Sequence, residues 1–600
     1  MDLTKTTITA LRTSLLLATV VLLSACGDGA TSDDSAVINK GFTGEARGLL
    51  PNLARSNAAF EGTHHSGSDS CASCHSDPSM TINTPIPGVT RDVSIGTAWE
   101  TSVMANATRD PYWHAVVASE LHNFPMLEDT INDKCTVCHA PMANDYAKKE
   151  GVDMRLFSKG SELTGDFQQG LYSMNEEDEL FNHAMDGVSC SLCHQMEDVN
   201  FGNDESMTGG FTILGSPTGE KRDRPAYGQY TDPDIAYMQQ QSEFLPQYGP
   251  HLSTSESCAT CHNLNLKPVN AAGETIEAAG HFAEQAIYTE WLLSDYAIGG
   301  PKEASCQSCH MPKVDEPVYL AQGAPEKRTE FAEHAFLGAN TVMQDMFNNY
   351  TEELGIKPGM DFDGAITRNR EFLTTSADVS LSQGSVIDGT LTFDVNIENH
   401  TGHKLPGGYH SRRVYLHVQV LNTNGQLVYE SGKINADGSI DGVSEDANPA
   451  SWEQHYDVIT SPTQVQVYQS IVGDYEGDRT HSLLDGSQFL KDNRLLPSGA
   501  NKFVIQQDTS LPDSFGTFGK ALEDPDFIGG ADTVTYRLKL APSDSFTVSA
   551  ELRYQPFSFG HLKQLFTQSG EVDQVDMFRT IYEGTTLRDE VIDTATQTIQ

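Results

Sequence analysis

The chain has 600 residues, with 83 Asp and Glu against 38 Lys and Arg, giving a formal net charge of -45. Such an acid excess excludes nucleic-acid binding, because there is no basic surplus to displace phosphate counterions. Its length suggests two to four domains at roughly 150 residues each, and its acidic residues are dispersed, as on a solvated, self-repelling surface.

The N-terminus reads as an export signal over residues 1–25. Lys5 and Arg12 precede the apolar run SLLLATVVLLSAC (14–26), which is too short and too abruptly ended for a spanning helix. Its close, Leu23-Ser24-Ala25-Cys26, resembles a bacterial lipobox, in which Cys26 becomes the lipidated first residue. Gly27, rather than Asp, follows it, which by the same resemblance implies sorting to the outer membrane, facing the periplasm or the cell surface. Residues 26–60 are polar and suit a flexible tether.

From residue 61 to 345 one pattern repeats five times: CASCH (Cys71, Cys74, His75), CTVCH (Cys135, Cys138, His139), CSLCH (Cys190, Cys193, His194), CATCH (Cys258, Cys261, His262) and CQSCH (Cys306, Cys309, His310). These use ten of the eleven cysteines. An exported chain with paired cysteines suggests disulfides, but disulfides leave the five adjoining histidines unexplained. Zinc needs two such pairs close together per ion, whereas these lie 48 to 68 residues apart. C-x-x-C-H is the attachment site of c-type haem. Two thiols on one helical turn meet one porphyrin edge, and the next residue puts its imidazole under the iron. The expectation is five covalent haem c groups, with proximal ligands His75, His139, His194, His262 and His310. About fifty residues per haem leave no room for five separate protein cores, so the porphyrins pack on one another in a mainly helical, irregular domain. Its clearer helices are predicted at 111–124, with Pro111 at the start, and at 281–297.

The sixth ligands decide whether a haem only carries electrons. His64, His183 and His251 each precede an attachment site by seven residues, as H-x6-C-x-x-C-H. His334 follows the last site, and His403 lies on a Gly-rich loop suited to presenting a side chain to a haem. Met104 is a further candidate, since thioether ligation raises a haem's potential. A surface histidine or a core methionine is the plainer alternative at each position.

Beyond a helical connector at 346–375 the cysteines end and strand alternation begins. Residues 389–399, 412–422, 532–541 and 544–554 alternate apolar and polar side chains between turn residues, and NTNGQ (422–426) signals a hairpin. Residues 376–600 thus read as a β-rich, immunoglobulin-like sandwich with an insertion over about 432–530. The acidic stretch NADGSIDG (435–442) lacks the calcium-loop pattern and reads as turn chemistry. Helical patterns return at 559–566 and 575–584, packing back on the first domain.

DGVSCSLCHQM (186–196), SCATCHNL (257–264), EQAIYTEWLLSDY (284–296), SCQSCHMP (305–312), HAFLGAN (334–340) and GHKLPGGYHSRR (402–413) together resemble bacterial multihaem c-type cytochromes. The resemblance is to a cytochrome c-554-like haem domain fused to a C-terminal β-rich domain, and covers most of residues 60–585, including 489–499 and 548–558. It implies electron transfer in the periplasm or at the cell surface, with redox-protein donor and acceptor. His334 and His403 match the histidines of the family's two short post-haem motifs. Members often have His where Met104 stands, which leaves one ligand set open. Two functions remain: an electron carrier, preferred because enough histidines exist to close all five sites, or an oxidoreductase with one open haem acting on a small nitrogen or sulfur oxyanion.

Overall fold

Strand periodicity in the second half of the chain has a direct physical result, two sheets closing over one core. The computed structural model describes residues 50–161, 163–512 and 515–600, so the expected signal segment and Cys26 lie outside the described residues. No helix among the described residues is long and apolar enough to cross a membrane.

The first half holds short helices separated by loops. Those that matter below are α1 (Ser68–His75), α2 (Pro111–Asn123), α3 (Glu128–His139), α4 (Glu179–Met185), α5 (Cys190–Cys193), α6 (Ser255–His262), α7 (Ile287–Leu292) and α8 (Cys306–His310), followed by α9 (Thr341–Asn349) and α10 (Phe362–Leu373). Helix α2 starts where the sequence predicts. Pro111 takes the first turn, where its missing N–H costs nothing, and Asp110 caps it by accepting from the amides of Tyr112 and Trp113. The helix expected over 281–297 is shorter. Strand β1 (Asn263–Leu266) pairs antiparallel with β2 (Phe282–Ala286), and only then does α7 begin. Tertiary pairing there overrides helical propensity.

The second half contains β3 (Ala377–Ile387), β4 (Thr390–Asn399), β5 (Arg413–Asn422), β6 (Leu427–Ser431), β7 (Val458–Ile459), β8 (Val467–Gly473), β9 (Gln488–Asp492), β10 (Ala531–Lys539), β11 (Phe546–Gln555) and β12 (Glu590–Ile599). One sheet runs β9-β8-β5-β11-β12, with β6 also on β5; the other runs β7-β10-β4-β3. Strand β5 pairs with β11 over its full length, Arg413 opposite Gln555 through Asn422 opposite Phe546. Side chains of alternate residues from both sheets, Phe393, Val395, Leu416, Val418, Val534, Tyr536, Val548 and Ala550 among them, share one core. The hairpin expected at 422–426 joins β5 to β6, with the amide of Asn422 donating to the carbonyl of Gln426. Residues 435–442 form a hydrogen-bonded turn in which Asp437 accepts from the amide and hydroxyl of Ser439. Helices α11 (Phe559–Leu565) and α12 (Asp573–Gly584) follow, and α12 packs against α2, tying the chain's end to its first half.

Candidate haem-attachment sites

Each C-x-x-C-H segment lies on a helical turn, which puts its two thiols on one face and its histidine at the helix end. All ten thiols are free, and nine of them are partly shielded from solvent. The segments are tied to one another through buried polar contacts. Asp186 accepts from the amide of Ser68 (2.8 Å) and from the hydroxyls of Ser68 and Ser189 (2.5 Å each), clamping the start of α1 to that of α5. Thr108 Oγ1 lies 2.6 Å from the carbonyl oxygens of both His139 and Ala184. Gln307 Nε2 donates to the carbonyls of Leu252 (3.0 Å) and Thr254 (2.8 Å), joining α8 to the approach to α6.

The thiols reflect the same order. That of Cys190 meets Cys71, that of Cys258 meets Cys306, and that of Cys138 meets Cys261, while Cys193 lies within electrostatic range of Cys261. The first segment therefore adjoins the third, the third the fourth, and the fourth both the second and the fifth.

Three of the five motif histidines are held in one tautomer. Nδ1 of His75 donates to the carbonyl of Leu320 (2.6 Å), that of His194 to Tyr227 (2.5 Å) and that of His310 to Leu337 (2.6 Å). A carbonyl can only accept, so the proton sits on Nδ1 and Nε2 carries the lone pair. Burial pushes His139 and His262 down to about 4 and lowers His75, His194 and His310, keeping the rings neutral, the form that binds a metal. Trp113 stacks on the His139 ring, centroids 4.7 Å apart and planes at 7°.

Two of the six expected distal residues meet motif histidines. The rings of His194 and His334 lie 6.2 Å apart at 17°, and those of His310 and His403 lie 6.4 Å apart at 15°. Both partners are fixed as the motif histidines are: Nδ1 of His334 donates to the carbonyl of Ala332 (3.0 Å) and Nδ1 of His403 to that of Lys404 (2.8 Å). A metal–imidazole bond is about 2.0–2.1 Å and a ring centre lies roughly 1.1 Å behind its nitrogen, so two imidazoles on one iron place their centroids about 6.3 Å apart. The spacing of both pairs fits a shared iron, and the thiol pairs beside His194 and His310 are the groups that would hold a haem there.

The chain builds the His403 position with care. Gly407 comes so near the ring that a Cβ there would lie 2.7 Å from His403 Nδ1, and Gly408 has φ +81°. The neighbouring Lys404 is 2% exposed, its Nζ donating to Asp492 (2.7 Å) and its amide to Glu290 (3.1 Å). Leu405 and Leu495 exchange backbone hydrogen bonds at 2.9 Å, pinning the loop to the segment after β9.

The other four candidates sit differently. His183 is fully buried on α4; its Nδ1 donates to the carbonyl of Glu179 (2.8 Å), and its Nε2 has no hydrogen-bond partner. This orphaned nitrogen suits a ligand, although its ring neighbours are Phe60, His65 and Tyr146. His64 Nε2 pairs with Glu150 at 2.8 Å, and His251 spends Nε2 on the carbonyl of Met196 at 2.9 Å. Met104 is half-buried, its carbonyl accepting from the amide of Val188 at 3.0 Å. Sequence reasoning missed His65, which is fully buried beside His64 and hydrogen-bonded to Asp145 (2.8 Å). It also missed His410, seven residues past His403 on the same loop.

The arrangement defines a class of site: clustered thiol pairs, each followed by a neutral imidazole, three of them oriented by a carbonyl and two facing a second imidazole. No family model matches the chain, and no curated protein matches it. Among solved structures the chain is similar to the crystal structure of a penta-heme cytochrome c552 from Thermochromatium tepidum, with a TM-score of 0.47 and 15% identity over 90% of this chain and 100% of that one.

Proposed function

We propose that the chain is a multihaem c-type cytochrome that passes electrons through five covalently bound haems, between redox-protein partners in the periplasm or at the outer-membrane surface. The observation that carries the reading is the pairing of His194 with His334 and of His310 with His403 at the separation an iron requires. When bound, haem supplies a reversible one-electron iron couple. The protein's own groups do the rest. Cys71, Cys74, Cys135, Cys138, Cys190, Cys193, Cys258, Cys261, Cys306 and Cys309 tether the groups, the carbonyl-bound Nδ1 atoms orient the ligands, and burial keeps those ligands neutral. Contact between the first and third, third and fourth, and fourth and second or fifth segments gives a branched electron path. Cys26 would anchor the mature chain to the outer membrane.

Mass spectrometry of the mature protein tests the count: five haem additions are expected, and a colourless protein without them refutes the reading. His403→Ala and His334→Ala should each retain five haems while converting one low-spin iron to high spin in electron paramagnetic resonance. An unchanged spectrum would remove that residue from the ligand set.

A further inference from the structure

Exposure is uneven along the five attachment segments. The middle residues of the second, third and fourth segments, Thr136 and Val137, Ser191 and Leu192, and Ala259 and Thr260, are buried. Helix α8 buries none of its five residues, and Cys309 is the one attachment thiol that stands exposed. The fifth segment is also an end of the series, since its thiol contact, Cys306 with Cys258, leads only to the fourth. A haem held on α8 would lie between His310 and His403, which leaves its iron no position for a substrate. An outward edge at the end of a path, with both axial positions filled, suits the exchange of electrons with another protein.

The surface around Cys309 is built from the loop between α7 and α8 and from the His403 loop. Tyr296 ties the two together. Its carbonyl accepts from the amide of Ala304 (3.0 Å), two residues before α8, and its hydroxyl donates to the carbonyl of His400 (2.7 Å). It lies within electrostatic range of both Cys309 and Glu398. Ile298, two residues further on, is 70% exposed. Glu303 is exposed beside it and accepts from the amide of Gly299 at 2.9 Å. Asp378 and Glu398, their side chains 68% and 66% exposed, flank His400, whose Nε2 lies 2.9 Å from Asp378. Lys302 is turned back on the protein: its Nζ donates to Ser498 Oγ (3.2 Å) and sits 5.6 Å over the Tyr296 ring. An apolar centre inside a rim of outward carboxylates has the make-up of a protein-docking surface. The sign of that rim selects a partner ringed by lysines and repels an acidic one.

We propose that the face formed by Cys309, Tyr296, Ile298, Glu303, Asp378 and Glu398 is the port at which a small lysine-rich redox protein docks and exchanges one electron with the chain, one centre being oxidised as the other is reduced. This rests on the multihaem reading for the haem at α8. Isothermal titration calorimetry of the oxidised holoprotein with a mitochondrial-type cytochrome c, the lysine-rich probe, tests it at low ionic strength. Saturable binding is expected, weakened at least tenfold when Glu303→Lys, Asp378→Lys and Glu398→Lys are combined, and weakened also by Ile298→Ser. A control that combines Asp153→Lys, Glu177→Lys and Glu571→Lys changes the net charge equally at exposed positions near α2, α3 and α4, and should weaken binding less than threefold. Equal losses in the two triple variants would mean that only the overall charge acts, and would overturn the port; so would an absence of binding to the wild type. Haem content, measured by mass on the same samples, separates this outcome from failure of the carrier reading. Five haems with equal losses sink the port and leave the carrier standing, whereas a protein without haem sinks the carrier and the port with it.

Discussion

Asp492 shows how single residues hold the candidate ligand loop in place. It accepts from Lys404 Nζ (2.7 Å) and from Arg494 Nε (2.9 Å) and Nη2 (2.8 Å), while Arg494 Nη1 also pairs with Glu290 (3.2 Å). Burial alone would favour the neutral acid, but Arg494 and Lys404 outweigh it and take the carboxyl from 3.8 down to about 2. A carboxylate whose pKa is depressed by folding stabilises the protein above its unfolded value, and that stability is lost as pH falls through the folded value. The contribution is on the order of 2 kcal/mol at neutral pH and should disappear between about pH 4 and pH 2. In denaturant unfolding, Asp492→Asn should cost about 3–5 kcal/mol at pH 7, because two buried cations lose their partner. The gap to the wild type should narrow across that acid window; a gap constant with pH would mean that the ion pairs contribute nothing there.

Strand β5 has the same dependence at the level of an element, since it bonds to β6, β8 and β11. Its first residue, Arg413, is fully buried, with Nη1 and Nη2 on the two oxygens of Asp446 (2.9 and 2.7 Å) and Nε on Gln555 (2.7 Å). Arg413→Ala should therefore lower unfolding free energy by about 3–5 kcal/mol, whereas a double replacement of Arg413 and Asp446 by apolar residues should cost much less. The alternation that predicts β4, β5, β10 and β11 is visible in the sequence because each strand buries one face. Strand β8 does not show it, for all seven of its residues are buried and Gln469 is satisfied inside by Asn493 and Glu445. Strand β3 is interrupted by a register shift between Ser382 and Ser385, and β12 alternates in burial but carries Asp593, Gln597 and three Thr among its ten residues. The five C-x-x-C-H segments stand out as candidate sites in the sequence because their chemistry is local, two thiols and an imidazole on one turn. Distal geometry could not, because it depends on where distant loops are pinned. His334 and His403 stand opposite motif histidines, but the H-x6-C spacing shared by His64, His183 and His251 does not bring the same result.

Charge acts at the scale of the whole molecule. A net charge of -45 on 600 residues produces a field that no single ion pair explains, and it extends about 10 Å beyond the surface at 0.1 M salt. If electrons leave the chain through a protein partner, that field speeds encounter with a basic partner and slows it with an acidic one. Stopped-flow oxidation of the reduced holoprotein by a small basic cytochrome should slow by about ten-fold or more between low and high ionic strength, since steered association falls steeply with salt. The same measurement with an acidic acceptor should show the opposite slope, because salt relieves repulsion. Rates independent of ionic strength with both acceptors would mean that the electron-exit surface is locally neutral, its own residues cancelling the overall charge. In that case the exit is best sought where cations are already spent on their neighbours, as Lys357 is on Asp69 and Glu100 beside α1.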